Sequence, residues 1–140
     1  MNSNRLPAHP AQVIDHDKTV TFTFAGVTIT AQVGDTIASA LYAAGTRIFS
    51  RSFKYHRPRG LLCAAGNCPN CLMNVDGTPS VRTCLKPVRQ GMRVQPQNVW
   101  PSLQRDALSI IDKFDWLLPV GFYYKTFIRP RFMWPLAEKF

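Results

Sequence analysis

Apolar and polar positions alternate strictly from Thr19 to Phe24, with Val20, Phe22 and Phe24 on one side and Thr19, Thr21 and Thr23 on the other. After Ala25-Gly26 the alternation resumes, Val27, Ile29, Ala31 and Val33 against Thr28, Thr30 and Gln32. A period of two sends successive side chains to opposite faces, so the two runs predict a β-hairpin closed by a short glycine-bearing turn. The period then changes. Ile37, Ala40, Leu41 and Ala44 recur at i, i+3, i+4 and i+7, the spacing of a helix with one buried face. Asp35 stands where it can cap that helix, and Gly45 where a left-handed residue can end it. Leu72–Val75 predicts a strand that turns at Asp76-Gly77 and returns through Val81 to Cys84, and Met92-Arg93-Val94 predicts the last strand. Hairpin, helix, cysteine loop, hairpin and strand make an α+β fold with a sheet packed over one helix.

Outside this middle zone, residues 18–98, the periodicity fails. Residues 1–17 carry Pro7 and Pro10 among polar side chains and read as an N-terminal arm that orders only against a partner. Residues 99–140 open with a short helical pattern at Asp106–Asp112, are broken by Pro119, Pro130 and Pro135, and hold most of the aromatic side chains. A core of about 80 residues cannot also bury that many rings, and left exposed they form a large apolar patch. The expectation is a partner-binding extension that wraps a larger subunit, with Trp116, Phe122, Tyr123, Tyr124, Phe127 and Trp134 as anchors. A second helical layer on the same core is one alternative. A membrane-surface helix using Lys125, Arg129, Arg131 and Lys139 is another, and the prolines interrupt the continuous stripe it needs.

Composition narrows the class. With 140 residues the chain suits one domain, and 46% apolar content excludes a disordered one. No apolar run is long enough to span a bilayer, and the first residues lack the apolar core of an export signal, so a cytoplasmic protein with no membrane association is expected. Four cysteines are too few for a disulfide-stapled scaffold and suit metal ligation in a reducing compartment.

Those four, Cys63, Cys68, Cys71 and Cys84, are spaced C-x4-C-x2-C-x12-C. Three lie within nine residues and the fourth closes a hairpin, the plant-type spacing for a [2Fe–2S] cluster. A compact loop wraps three sulfurs around a centre wider than one ion, and a distant strand brings the last. Gly66 lets the loop backbone come close. A structural zinc site ordinarily has two short knuckles, and only Cys68-x2-Cys71 is one here.

Gly34–Leu41, Arg51–Gly60, Gln97–Ser102 and Gly121–Phe127 together resemble the N-terminal ferredoxin-like domain of the sarcosine oxidase alpha subunit family. In the sarcosine oxidase domain itself the shape remains and the cysteines are lost. With all four in place, this sequence is more similar to the cluster-bearing relatives in opine, proline and hydroxyproline dehydrogenases. The resemblance implies a β-grasp, plant-type ferredoxin-like fold and a [2Fe–2S] electron-transfer role beside larger flavoprotein subunits in a hetero-oligomer. FAD or FMN is then expected in the partners, since no G-x-G-x-x-G occurs here, and no catalytic residue is assigned to this chain. A cluster- or zinc-stabilised assembly module without redox role is the alternative. Pro69 departs from most plant-type loops because it has no amide to donate.

Charge adds one feature. The formal net charge is +9, and residues 36–105 carry ten basic side chains against the single acid Asp76. A solvated basic face and a nucleic-acid surface are two readings; a buried redox centre has no use in simple nucleic-acid binding, so none is expected. Cations beside a four-thiolate cluster favour its more negative state and attract an acidic partner. Lys54, His56, Arg57, Arg59 and Gly66 are the candidates for tuning or docking. His56 reads as a hydrogen-bonded structural residue and not a ligand, since four cysteines fill the sites.

Overall fold

A computed structural model describes residues 4–117, with side chains through Phe114. The hairpin forms where the alternation predicts it, β1 (Asp15–Phe24) against β2 (Val27–Val33), with Phe22 opposite Ile29 and Phe24 opposite Val27. Strand β1 starts earlier than Thr19, after a break in register between Asp15 and Thr19 that the polar run His16-Asp17-Lys18 gave no hint of. Two two-residue strands follow the helix, β3 (Ser50–Arg51) and β4 (Pro58–Arg59), paired with each other. They are too short to leave a periodic signal. Strands β5 (Leu72–Val75), β6 (Thr78–Arg82) and β7 (Arg93–Gln95) complete a five-stranded sheet in the order β2-β1-β7-β5-β6. Among the described strands only β1 and β7 run parallel, Thr23 beside Arg93 and Phe24 beside Val94. This mixed sheet over one helix is the α+β, β-grasp arrangement expected.

Helix α1 (Ile37–Ala43) buries Ile37, Ala38, Ala40 and Leu41 against the Phe22 and Phe24 face of β1, with Phe49, Met73 and Val94 filling the core. Its cap is Thr36 and not Asp35. Thr36 Oγ1 accepts the Ser39 amide at 3.2 Å while Ser39 Oγ accepts the Thr36 amide at 3.0 Å, a reciprocal capping box. Asp35 instead is a buried carboxylate that accepts the Gln32 amide at 2.9 Å and the Ser39 hydroxyl at 2.8 Å and pairs with Arg5. At the other end Gly45 takes φ +86, and the amides of Gly45 and Thr46 reach the carbonyls of Tyr42 and Leu41, a Schellman motif.

Over its described part the N-terminal arm, expected to order only against a partner, makes contacts with this domain itself. A buried carboxylate needs a cation, and Arg5 supplies it from thirty residues away, while the Asn4 amide reaches Ala43 O at 3.1 Å. The expected boundary at 98/99 is likewise crossed by packing: Leu103 lies in the core and Val99 packs against it. Beyond them Ala107–Leu117 forms short 3₁₀ turns that meet at a kink at Phe114. Phe122, Tyr123, Tyr124, Phe127 and Trp134 lie outside the described residues, as does the side chain of Trp116. Among the described residues no helix is long and apolar enough to cross a membrane.

Candidate metal centre

The cysteine loop is held between β4 and β5, and the start of α1 fixes its far end. The helix leaves its first amides without intrahelical partners. Ile37 N donates to Lys86 O at 2.9 Å and Ala38 N to Thr83 O at 3.1 Å, so the segment after β6 docks on the helix start. Thr83, fully buried, then sends its hydroxyl to Cys71 O at 2.7 Å and its amide to the same oxygen at 3.3 Å. This one threonine ties the third cysteine to the neighbour of the fourth.

The Cys63 thiol senses the neighbouring Cys68 thiol, the Cys84 thiol senses that of Cys71, and the charge of Cys63 is felt at Cys84. Cys71 and Cys84 are buried, at 1% and 6% exposure, while Cys63 and Cys68 are half-buried at the loop surface. Among the described residues no three or more His, Cys, Asp or Glu side chains converge as the ligands of a single ion.

Loop conformation aims donors at these sulfurs. Ala64 and Gly66 have φ of +53 and +76, and left-handed residues alternating with right-handed ones turn successive amides to one side. The Ala65 amide, then the Cys68 thiol and the amides of Cys68 and Asn67, hold the Cys63 thiol down at about 6. At Cys84 burial and the Cys71 thiol push the thiol up, and the Gly66 amide opposes them. The donors thus come from residues upstream of Pro69, whose lack of an amide leaves this set intact. Amides that favour negative sulfur at Cys63 and oppose the effect of burial at Cys84 fit an iron–sulfur cluster.

Gly66 also lies directly under Leu85. A Cβ there meets Leu85 Cδ1 at 2.5 Å and Cγ at 3.0 Å, and the left-handed backbone costs an L-residue about 1–2 kcal/mol. Gly66→Ala is therefore expected to keep the fold but shorten the half-life of bound iron about tenfold. Iron content followed during dialysis against a chelator measures this. A further Leu85→Ala change relieves only the steric part.

The basic candidates separate. His56 is buried with φ +54, and its Nδ1 lies 2.8 Å from Asp106 Oδ2. Arg51 Nε lies 3.4 Å from the same carboxylate oxygen and its Nη1 donates to His56 O at 2.8 Å. Arg57 pairs with Asp112 at 2.6 Å, and both Arg57 and Lys54 sit 4.7 Å from the Tyr55 ring centre. Arg59 is the candidate that reaches the cysteine loop, with Nη1 3.4 Å from Pro69 O. Sequence reasoning missed Thr83, Leu85 and Asp106; only the residue type of Thr83, polar beside a predicted ligand, offered a clue.

Comparison with known proteins agrees with this geometry. Residues 17–99 match the 2Fe-2S iron-sulfur cluster binding domain. The chain is 40% identical over 138 residues to the sarcosine oxidase subunit alpha of Rhizobium meliloti, covering 96% of this chain and 14% of that protein. It is 36% identical over 73 residues to the hydrogen cyanide synthase subunit HcnA of Pseudomonas aeruginosa, covering 52% of this chain and 69% of that subunit. Among solved structures, L-proline dehydrogenase from P. horikoshii superposes with a TM-score of 0.50 at 28% identity, over 57% of this chain and 16% of that one. The chain thus spans about a seventh of the sarcosine oxidase relative. With the matched segment running from β1 past β7 and including all four cysteines, the chain belongs to the family of 2Fe-2S iron-sulfur cluster binding domains.

Proposed function

We propose that this chain is the electron-transfer subunit of a larger flavin-dependent complex that oxidises a C–N bond in an amine or imino acid such as sarcosine, proline, hydroxyproline or an opine. The observation that carries the reading is the match of residues 17–99 to a 2Fe-2S iron-sulfur cluster binding domain, with all four cysteines inside the matched segment. Cys63, Cys68, Cys71 and Cys84 are the residues that would hold the [2Fe–2S] cluster. When bound, such a cluster takes up and releases electrons one at a time. The chain's own residues do the rest. The amides of Ala65, Gly66, Asn67 and Cys68 stabilise charge on the sulfurs, the buried Cys71–Thr83–Cys84 corner keeps water from one pair, and the half-exposed Cys63 and Cys68 present the other to a partner. FAD or FMN belongs to larger partner subunits, in keeping with relatives in which the matched region is a small part of the whole. A complex of the hydrogen cyanide synthase kind is a second reading of the partner, favoured by the larger share of that subunit the chain covers.

The test is metal and sulfide analysis of the purified complex, with electron paramagnetic resonance after reduction and stopped-flow oxidation of the flavin. About two irons and two sulfides per chain, a signal on reduction, and flavin oxidation slowed by Cys63→Ser are expected. Zinc with no signal points to an assembly module, and full turnover in an iron-free complex overturns electron transfer.

A further inference from the structure

Resting on the electron-transfer reading, we propose that the cleft between Phe53 and the Cys68–Cys71 turn seats an acidic side chain of the partner flavoprotein. The cleft has a volume of about 270 Å³, and its walls include Arg51, Phe53, Arg59, Pro69, Leu72 and Gln97. Pro69 and Leu72 adjoin Cys68 and Cys71 in the chain, so a group held here lies against the cysteine turn. The two guanidiniums differ in what they have left to give. Arg51 is committed to Leu103 O at 3.2 Å, to His56 O and to Asp106. Arg59 makes the one long bond to Pro69 O, and its other donors are uncommitted among the described residues. A guanidinium with free donors takes a carboxylate in a two-point contact. Beside it Phe53 stands 78% exposed, an aromatic ring that gains by covering the methylene arm of an Asp or Glu.

The surrounding charge selects the same occupant. Ten basic side chains against one acid between residues 36 and 105 draw an acidic face in and repel a basic one. Arginine and exposed aromatic rings are also the residue types that carry most binding energy at protein interfaces. A nucleic acid is the less suited class, because it needs a row of phosphate contacts and this cleft offers one uncommitted guanidinium.

The measurement is the dissociation constant of the cluster-loaded chain for the flavoprotein subunits of its complex, at about 50 and 200 mM salt. Arg59→Gln and Phe53→Ser are each expected to weaken binding about tenfold or more while the reduced cluster keeps its native resonance signal. Arg59→Lys, which keeps the charge and loses the planar fork, is expected to recover only part of the loss. Arg93→Gln, a charge-matched change on β7 outside the cleft, is expected to change binding by less than about threefold. Equal effects of Arg59→Gln and Arg93→Gln would overturn the cleft in favour of a diffuse field. So would wild-type docking by the Arg59 and Phe53 variants with their signals intact, which leaves the electron-transfer reading standing. Tighter binding to a single-stranded oligonucleotide, lost in those same variants, would replace the protein partner. A wild-type chain without iron in every preparation would remove the electron-transfer reading and the docking proposal with it.

Discussion

Replacing Cys71 with alanine is expected to leave the purified chain without iron, visible absorbance or a resonance signal on reduction. The residue lies at 1% exposure in the core, paired with Cys84 and anchored through its carbonyl to Thr83. Three thiolates cannot complete two tetrahedral irons, and the buried site gives water little access as a substitute ligand. A group that binds only the folded state stabilises it by about 4 kcal/mol at a thousandfold excess over its dissociation constant. Losing it is expected to lower the unfolding midpoint by on the order of 10 °C. Alanine at a core position also removes packing, so Cys63→Ala is the companion measurement. At the half-exposed loop surface it should cost the same iron with little packing loss. Retention of wild-type iron by Cys71→Ala would remove it from the ligand set.

Asp106→Ala is expected to destabilise the chain by about 3–5 kcal/mol, the range for removing one partner of a buried ion pair. Its fully buried carboxylate meets His56 Nδ1 at 2.8 Å, Arg51 Nε at 3.4 Å, the Trp100 amide at 3.0 Å and the Leu108 amide at 3.3 Å. Without it, the half-buried Arg51 loses its counter-charge and two backbone amides lose an acceptor. Asp112→Ala, which breaks the exposed pair with Arg57, should cost no more than about 1 kcal/mol. Chemical denaturation of the two variants separates them. Acid offers a second readout. Burial pulls the Asp106 carboxyl up, but the Trp100 amide and His56 outweigh it and hold the carboxyl below its ordinary value of 3.8. A carboxyl depressed in the folded state contributes its full stability above the unfolded value and loses it as pH falls through the folded one. Wild type should therefore lose stability relative to Asp106→Ala only below about pH 4. A parallel decline of both from neutral pH would show that another group controls acid unfolding.

Much of the site was legible because its chemistry is local. Three cysteines within nine residues, a glycine between them and a hairpin leading to the fourth are facts of spacing, and they forecast the 2Fe-2S domain family that the chain belongs to. The hairpin of β1 and β2 and the buried face of α1 were equally plain, since a period of two or of 3.6 reports which side of the backbone meets the core. Asp35 was misread because the box Thr36–Ser39 and the acid before it both suit a helix start, and the choice depends on Arg5 arriving from elsewhere. The basic run 51–59 concealed a division of labour. Arg51, Arg57 and Arg59 look alike in sequence, yet the first turns inward to Asp106, the second to Asp112 and the third to the cysteine turn.

The chain's own letters determined the spacing of the four cysteines, the alternation of strand and helix, and the surplus of positive charge, because each follows from residue type at short separation. Tertiary structure alone decided that Thr83 anchors the Cys71 carbonyl, that Asp106 closes the basic loop against the segment after β7, and that Arg59 keeps free donors beside an exposed ring. Those outcomes depend on contacts between residues 10 to 50 positions apart. Burial strengthens them by excluding water, and no local pattern encodes which distant partner will meet the need of a buried charge or an unsatisfied amide.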